Sequence, residues 1–254
     1  MARPVQESEA LVVAGQEHGE SDRIITFYSR DFGRFTGIAK GACRSKKRFV
    51  NKLEPFSLLH LSFQWPRNGS LVFIQEADLR NSFLRLRQDY SIFAAASIIQ
   101  EMLLFTTNER EQDQNIFNLT SWALSSLNQG QPPRTIIYFY LIRLYDLLGY
   151  RPNLSACINC GVKIDAPLPF SFNYQAGGLI CTRCKQPGGL YEELSKGTIN
   201  LLNKALEQEL NKLGRLKFSN RAEQETSCFL HQYAQILFQR DFKSWQIFKK
   251  AQNS

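Results

Sequence analysis

Leu59-His60-Leu61-Ser62-Phe63-Gln64-Trp65 decides the fold of the first third of the chain. Large apolar residues occupy every second position, with His60, Ser62 and Gln64 opposite, which is the period of a strand with one buried face. Asn68-Gly69 then suits a tight hairpin turn into a return strand, Leu71–Gln75. Upstream, Leu11–Ala14, Ile24–Tyr28 and Arg34–Ala39 are short and rich in β-branched or aromatic residues. They are separated by Gly15–Gly19 and Asp31–Gly33, both of turn composition. Five short strands with one long connection, Lys40–Lys52, predict a small closed barrel of the OB type over residues 1–80; a five-stranded SH3-like barrel has a similar linear pattern.

Beyond Asp78 the period changes from two to between three and four. Tyr90–Phe105, Ile116–Leu127 and Pro133–Leu148 read as helices, with Gly130–Pro133 as a break and Gly149 as a stop. Leu194–Leu213 and Ala222–Phe248 resume the pattern after an interruption, with a loop at Gly214–Asn220. The expected class is α+β and multidomain. An N-terminal OB-type barrel (1–80) is followed by a helical bundle (81–152 and 188–254) with an inserted four-cysteine module (153–187).

That insert carries Cys157-Ile-Asn-Cys160 and Cys181-Thr-Arg-Cys184, separated by twenty residues. Each Cys-x-x-Cys knuckle aims two thiolates at one point, and a short hairpin between them brings the second pair alongside the first. Four thiolates at this spacing suit tetrahedral zinc. The competing readings are two disulfides or four unliganded thiols. Met1–Glu9 lacks the apolar core of a secretory signal, so a reducing, cytoplasmic setting is expected and disulfides are disfavoured. Four protein ligands leave no position for water or substrate, so the zinc would be structural. Cys43 and Cys228 have no partner at ligand spacing.

The chain has 254 residues and a formal net charge of +8. Between Arg23 and Leu53 stand nine basic residues against one acid, Asp31, an excess equal to that of the whole chain. The cations of the run Arg44-Ser45-Lys46-Lys47-Arg48 cannot all pair locally, which leaves its field available to a polyanion. Phe27, Tyr28, Phe32, Phe35 and Phe49 lie among these charges, the combination of cations and rings that single-stranded nucleic acid uses. Alternation leaves only one face of Ile24–Tyr28 exposed, so some of these rings must be core. The candidate nucleic-acid-binding residues are Arg23, Arg34, Lys40, Arg44, Lys46, Lys47, Arg48 and Lys52.

Other chemistry finds little support. The most apolar run, Ile92–Phe105, contains Ser97, Gln100 and Glu101 and is too short to span a bilayer. The three histidines, His18, His60 and His231, read as a turn residue, a polar strand face and a helix residue. No Gly-x-x-x-x-Gly-Lys-Ser/Thr loop occurs, so ATP hydrolysis is not supported. The acidic pairs Glu76 with Asp78 and Glu192 with Glu193 could in principle hold Mg²⁺ for a nuclease, but adjacent surface acids are far more often solvated. A non-enzymatic protein without a small-molecule substrate is expected.

Together these residues resemble the RecO family of bacterial recombination mediators. The resemblance rests on Glu17-His18-Gly19-Glu20-Ser21-Asp22, the strand and turn Ile24–Gly33, Ala39-Lys40-Gly41-Ala42-Cys43-Arg44, and Leu53–Phe56. It continues through Leu147–Pro152, Phe170–Phe172 and Gly177–Leu179 to the cysteine pairs, spanning about Ala10 to Cys184. Lys40 and Arg44 fall on the family's basic barrel positions, whereas Cys43 departs from the basic or polar residue many relatives place there. The resemblance implies binding of single- and double-stranded DNA, annealing of complementary strands, and work with RecR to help RecA replace single-strand binding protein. It also implies a cytoplasmic, nucleoid-associated location. The alternative is an RNA-binding barrel and zinc-ribbon factor in translation or RNA maturation.

Overall fold

The computed structural model describes residues 4–69 and 71–252. They form two compact units that divide between Gln129 and Gly130.

In the first unit, β1 (Gln6–His18), β2 (Asp22–Ser29), β3 (Gly33–Ala39), β4 (Leu58–Gln64) and β5 (Val72–Asn81) close a barrel in the order β1-β2-β3-β5-β4. Every pairing is antiparallel except β3 with β5. This is the OB-type barrel; the SH3-like alternative is set aside. The Leu59–Trp65 alternation points as expected: Leu59, Leu61 and Phe63 are fully buried, joined inside by Val12, Ile25, Phe27, Phe35, Val72 and Ile74.

The end of β1 differs from the sequence reading. Gly15–Gly19 is not a turn: β1 runs on to His18, and Gly15 through His18 pair with Ile25 through Asp22. A register shift between Val12 and Ala14 bends this long strand so that it serves both β4 and β2. Glycine content suggested a turn, but ladder pairing with β2 overrides the local preference.

Three helices share the first unit: α1 (Arg85–Gln88), α2 (Tyr90–Thr106) and α3 (Gln114–Asn128). Asp89 and Asp113 cap α2 and α3, accepting from the Ile92 N–H and from the Asn115 and Ile116 N–H groups. The change from strand to helix falls after Asn81. Contacts fasten the helices to the barrel: Arg34 donates to the Leu104 carbonyl at 2.8 Å, Arg87 to the Pro55 carbonyl at 2.9 Å, and Tyr28 stacks on Phe117.

In the second unit α4 (Pro133–Leu147) is buried almost all round, from Ile136 through Ile142 and again at Leu144 and Tyr145. It begins with proline at its first position, where no N–H is required. α5 (Lys196–Glu207) and α6 (Asn220–Phe238) pack on it, and Tyr145 donates from within the core to the Leu230 carbonyl at 3.0 Å. The single long helix expected over Ala222–Phe248 is two, α6 and α7 (Lys243–Ala251), because Gln239 adopts a left-handed φ of 50°. A three-stranded sheet, β6 (Phe170–Asn173), β7 (Gly178–Cys181) and β8 (Tyr191–Leu194), in the order β7-β6-β8, meets α6 through Phe172 against Phe229 and Tyr233.

Candidate nucleic-acid interface and metal centre

The connection from β3 to β4 contains no regular element beyond a single 3-10 turn at Ala42–Arg44, yet its path is fixed from inside. Ala42, Phe49 and Leu53 enter the barrel core, and Phe56 packs edge-on against Phe93. At its start Gly41 takes φ 69°, and its N–H donates to Asp22 Oδ1 at 2.8 Å; the Cys43 N–H donates to the Ser21 carbonyl at 2.8 Å. The β1–β2 turn thus holds the beginning of the basic loop. The Gly41 N–H, and then the Ser21 hydroxyl, keep the Asp22 carboxyl below its ordinary value.

This frame sorts the eight basic candidates. Arg23 pairs with Glu54 at 3.0 Å, and Arg34 reaches into the helices. Lys52 donates to the Ala77 carbonyl at 2.7 Å and lies 3.7 Å from Asp78. Arg48 spans the Lys40 and Gln75 carbonyls at 3.3 and 3.5 Å, closing the loop over the start of β5 while its guanidinium stays exposed. Lys40, Arg44, Lys46 and Lys47 stand in solvent around it. Arg44 meets Glu20 at 3.2 Å, but both side chains are so exposed, 69% and 91%, that the pair opposes a polyanion only weakly.

The rings divide differently from the sequence expectation. Phe27, Tyr28, Phe35 and Phe49 are buried, so none of them can stack on a base. Phe32 is partly buried against the core. The exposed ring beside the cations is Phe73 on β5, with Lys40 Nζ 5.9 Å from its centre. Sequence reasoning missed it because Phe73 follows the turn and lies outside the basic window. Its signal was the alternation of Val72 and Ile74, which turns Phe73 outward.

The four cysteines of the insert converge: their sulfurs all lie within 4.8 Å of one another. The expected hairpin exists as β6–β7, and Cys181 ends β7. Asn153–Ile158 runs alongside β7, with the Leu179 N–H donating to Asn153 and the Ile158 N–H to Leu179, both at 2.9 Å; this sets Cys157 beside Cys181. The Cys181 N–H points at Cys157 Sγ at 3.4 Å, and Cys160 and Cys181 sulfurs are 3.7 Å apart. Four sulfurs around zinc at about 2.3 Å would stand roughly 3.8 Å apart, whereas a disulfide needs about 2.0 Å. The donor set therefore fits a closed tetrahedral site. Burial raises the Cys157 thiol, but N–H groups of Cys160, Cys181 and Asn159 outweigh it and bring it down to about 6. The Cys184 S–H donates to the Cys160 and Cys181 sulfurs, which pushes this thiol up to about 12.

A closed OB-type barrel with a cationic connection, followed by helices and four converging cysteines, defines an OB-fold protein with a cysteine-cluster insert whose geometry is compatible with a metal. Comparison with known proteins narrows the class. The family model for recombination protein O, N terminal, matches residues 1–83, and that for recombination protein O, C terminal, matches residues 87–246. DNA repair protein RecO of Syntrophus aciditrophicus is 29% identical over 252 residues, covering 98% of this chain and 97% of that protein. DNA repair protein RecO of Syntrophobacter fumaroxidans is 29% identical over 247 residues, covering 97% and 98%. DNA repair protein RecO of Cutibacterium acnes is 33% identical over 192 residues, covering 73% and 76%. The chain belongs to the RecO family of DNA repair proteins. No helix among the described residues is long and apolar enough to cross a membrane.

Proposed function

We propose that the barrel binds single- and double-stranded DNA through Lys40, Arg44, Lys46, Lys47 and Arg48, and anneals complementary strands. The reading is carried by one observation: these cations project from a loop whose interior is held in the barrel core and whose start is tied to Asp22. Such cations neutralise phosphates of two strands and release counterions, so that two like-charged polymers approach on one surface and pair. The step needs no nucleotide and no catalytic group. In repair, the protein would act with RecR to help RecA displace single-strand binding protein, as its family membership suggests. Arg23, Arg34 and Lys52 would support the loop and the barrel from behind.

The four-cysteine centre would hold a structural zinc, which supplies a cross-link and no reactive position. Cys157 and Cys181 are buried, so the ion would tie β7 to the Asn153–Ile158 segment at the base of the module.

The test is annealing of complementary oligonucleotides coated with single-strand binding protein, followed by fluorescence across a salt series. Salt-sensitive acceleration without nucleotide is expected. Charge removal at Lys40, Arg44, Lys46 and Lys47 should weaken binding equally for all sequences and lower the salt slope by up to about 1 per residue. Unchanged DNA binding in that variant would refute the reading, and tight RNA binding without annealing would favour an RNA factor.

A further inference from the structure

The geometry points to a second DNA contact in the first unit, a stacking platform for one unpaired base built from Arg110 on Trp65. Trp65 lies just past the end of β4, and the rings of Phe32, Phe35 and Phe63 meet it edge-on with centroids 5.5 to 6.0 Å away. The Arg110 guanidinium lies 4.8 Å from the Trp65 centroid, and the residue itself is exposed. Arg110 is placed by its backbone. Its N–H donates to the Arg34 carbonyl at 2.8 Å, its φ is 61°, and the neighbouring Glu111 backbone presses on Gly33 where a Cβ would overlap it. Non-glycine residues adopt such a φ only where the surroundings hold them there.

A cavity of about 610 Å³ opens beside this pair; the described residues that line it, Pro4, Gln6, Trp65, Pro66, Arg67, Gly69 and Arg110, bring two guanidiniums and no carboxylate. Its size and charge suit a nucleotide. A base lying on the outer plane of Arg110 would extend the Trp65–Arg110 stack, with Arg67 in reach of its phosphate. Guanidinium planes and rings accept unpaired bases of any sequence, whereas a paired base presents no open face. This contact therefore separates single strands from duplex, which the cations of the β3–β4 loop do not. It rests on the DNA-binding reading above.

The experiment compares wild type, Arg110→Ala and Arg110→Lys for binding to a (dT)20 strand, to a 20-base-pair duplex, and to thymidine monophosphate. Both variants should lose about tenfold for (dT)20 while keeping duplex affinity, because lysine restores the charge but not the plane. Full retention by Arg110→Lys, equal losses for strand and duplex, or saturation by the mononucleotide as tight as by the strand would each overturn the platform. If wild type bound (dT)20 normally and the variants did too, only the platform would fall. If wild type bound neither DNA, the general DNA reading would fall with it.

Discussion

The Asp22 carboxylate accepts the Gly41 N–H at 2.8 Å and so fastens the start of the basic loop to the β1–β2 turn nineteen residues earlier. Two sequence motifs that look independent, Glu17–Asp22 and Ala39–Arg44, are thereby two halves of one joint. The Asp22→Ala variant should keep the barrel but free the loop, giving faster tryptic cleavage at Lys46, Lys47 and Arg48 than in wild type. The carboxyl is held below its ordinary 3.8, so the tie is complete above that pH and is lost only as pH falls through the lower folded value. Cleavage of wild type by an acid-tolerant protease should accordingly be flat from pH 8 to about 5. Equal tryptic cleavage of variant and wild type at pH 8 would show that the core anchors alone hold the loop.

Gly33→Ala separates steric from conformational cost. Gly33 and Gly41 share a left-handed φ, 64° and 69°, but a Cβ at Gly33 would meet the Glu111 backbone whereas one at Gly41 meets nothing within 4 Å. Gly41→Ala should cost about 1 kcal/mol, the strain of the backbone alone, and Gly33→Ala about 2–3 kcal/mol. Urea unfolding of both variants checks this, and equal losses would mean that the Asn108–Asp113 loop yields.

Glu225 gathers the start of α5. It accepts from the Ser195 N–H and hydroxyl at 2.9 and 2.8 Å, from the Thr198 hydroxyl at 2.5 Å and from Arg221 at 2.6 Å. Burial pushes its carboxyl up, but these donors outweigh burial and leave it below the ordinary 4.5. The stabilisation is therefore present above about pH 4.5 and is lost as pH falls through the lower folded value. Glu225→Gln should cost about 1–3 kcal/mol at pH 7 and remove part of the acid dependence of unfolding below pH 4.5. An unchanged acid limb would assign that dependence to other groups.

Cys157→Ser, or chelation, should lower the thermal stability of the second unit while the affinity for DNA is nearly kept, because the proposed contacts lie in the first. Zinc content by atomic absorption, paired with melting curves, is the check. A loss of DNA binding with unchanged melting would move the cysteine module into the DNA site.

Much of this was legible in local pattern. Period-two alternation placed Leu59, Leu61 and Phe63 inside the barrel, and the paired Cys-x-x-Cys knuckles announced a centre that the structure brings together within 4.8 Å. What escaped was whatever depends on distant partners. Phe27, Tyr28 and Phe35 look like platforms beside cations until their neighbours close over them. Arg34 counts as a free charge until Leu104, seventy residues on, accepts it. Arg110 carries no motif and acquires its place only through the Arg34 carbonyl and the space above Gly33. The break at Gln239 needs a left-handed backbone at a residue that does not signal one.

The inward anchors Ala42, Phe49 and Leu53 have a kinetic consequence. A basic segment of ordinary composition would be a disordered arm that must surrender conformational entropy on meeting DNA. Here that entropy is already spent during folding, so an arriving strand finds its cations in position. Association should then be governed by long-range attraction and encounter rate, with little temperature-dependent ordering to follow. If the barrel anneals strands as proposed above, each incoming strand would meet a surface that need not first be ordered.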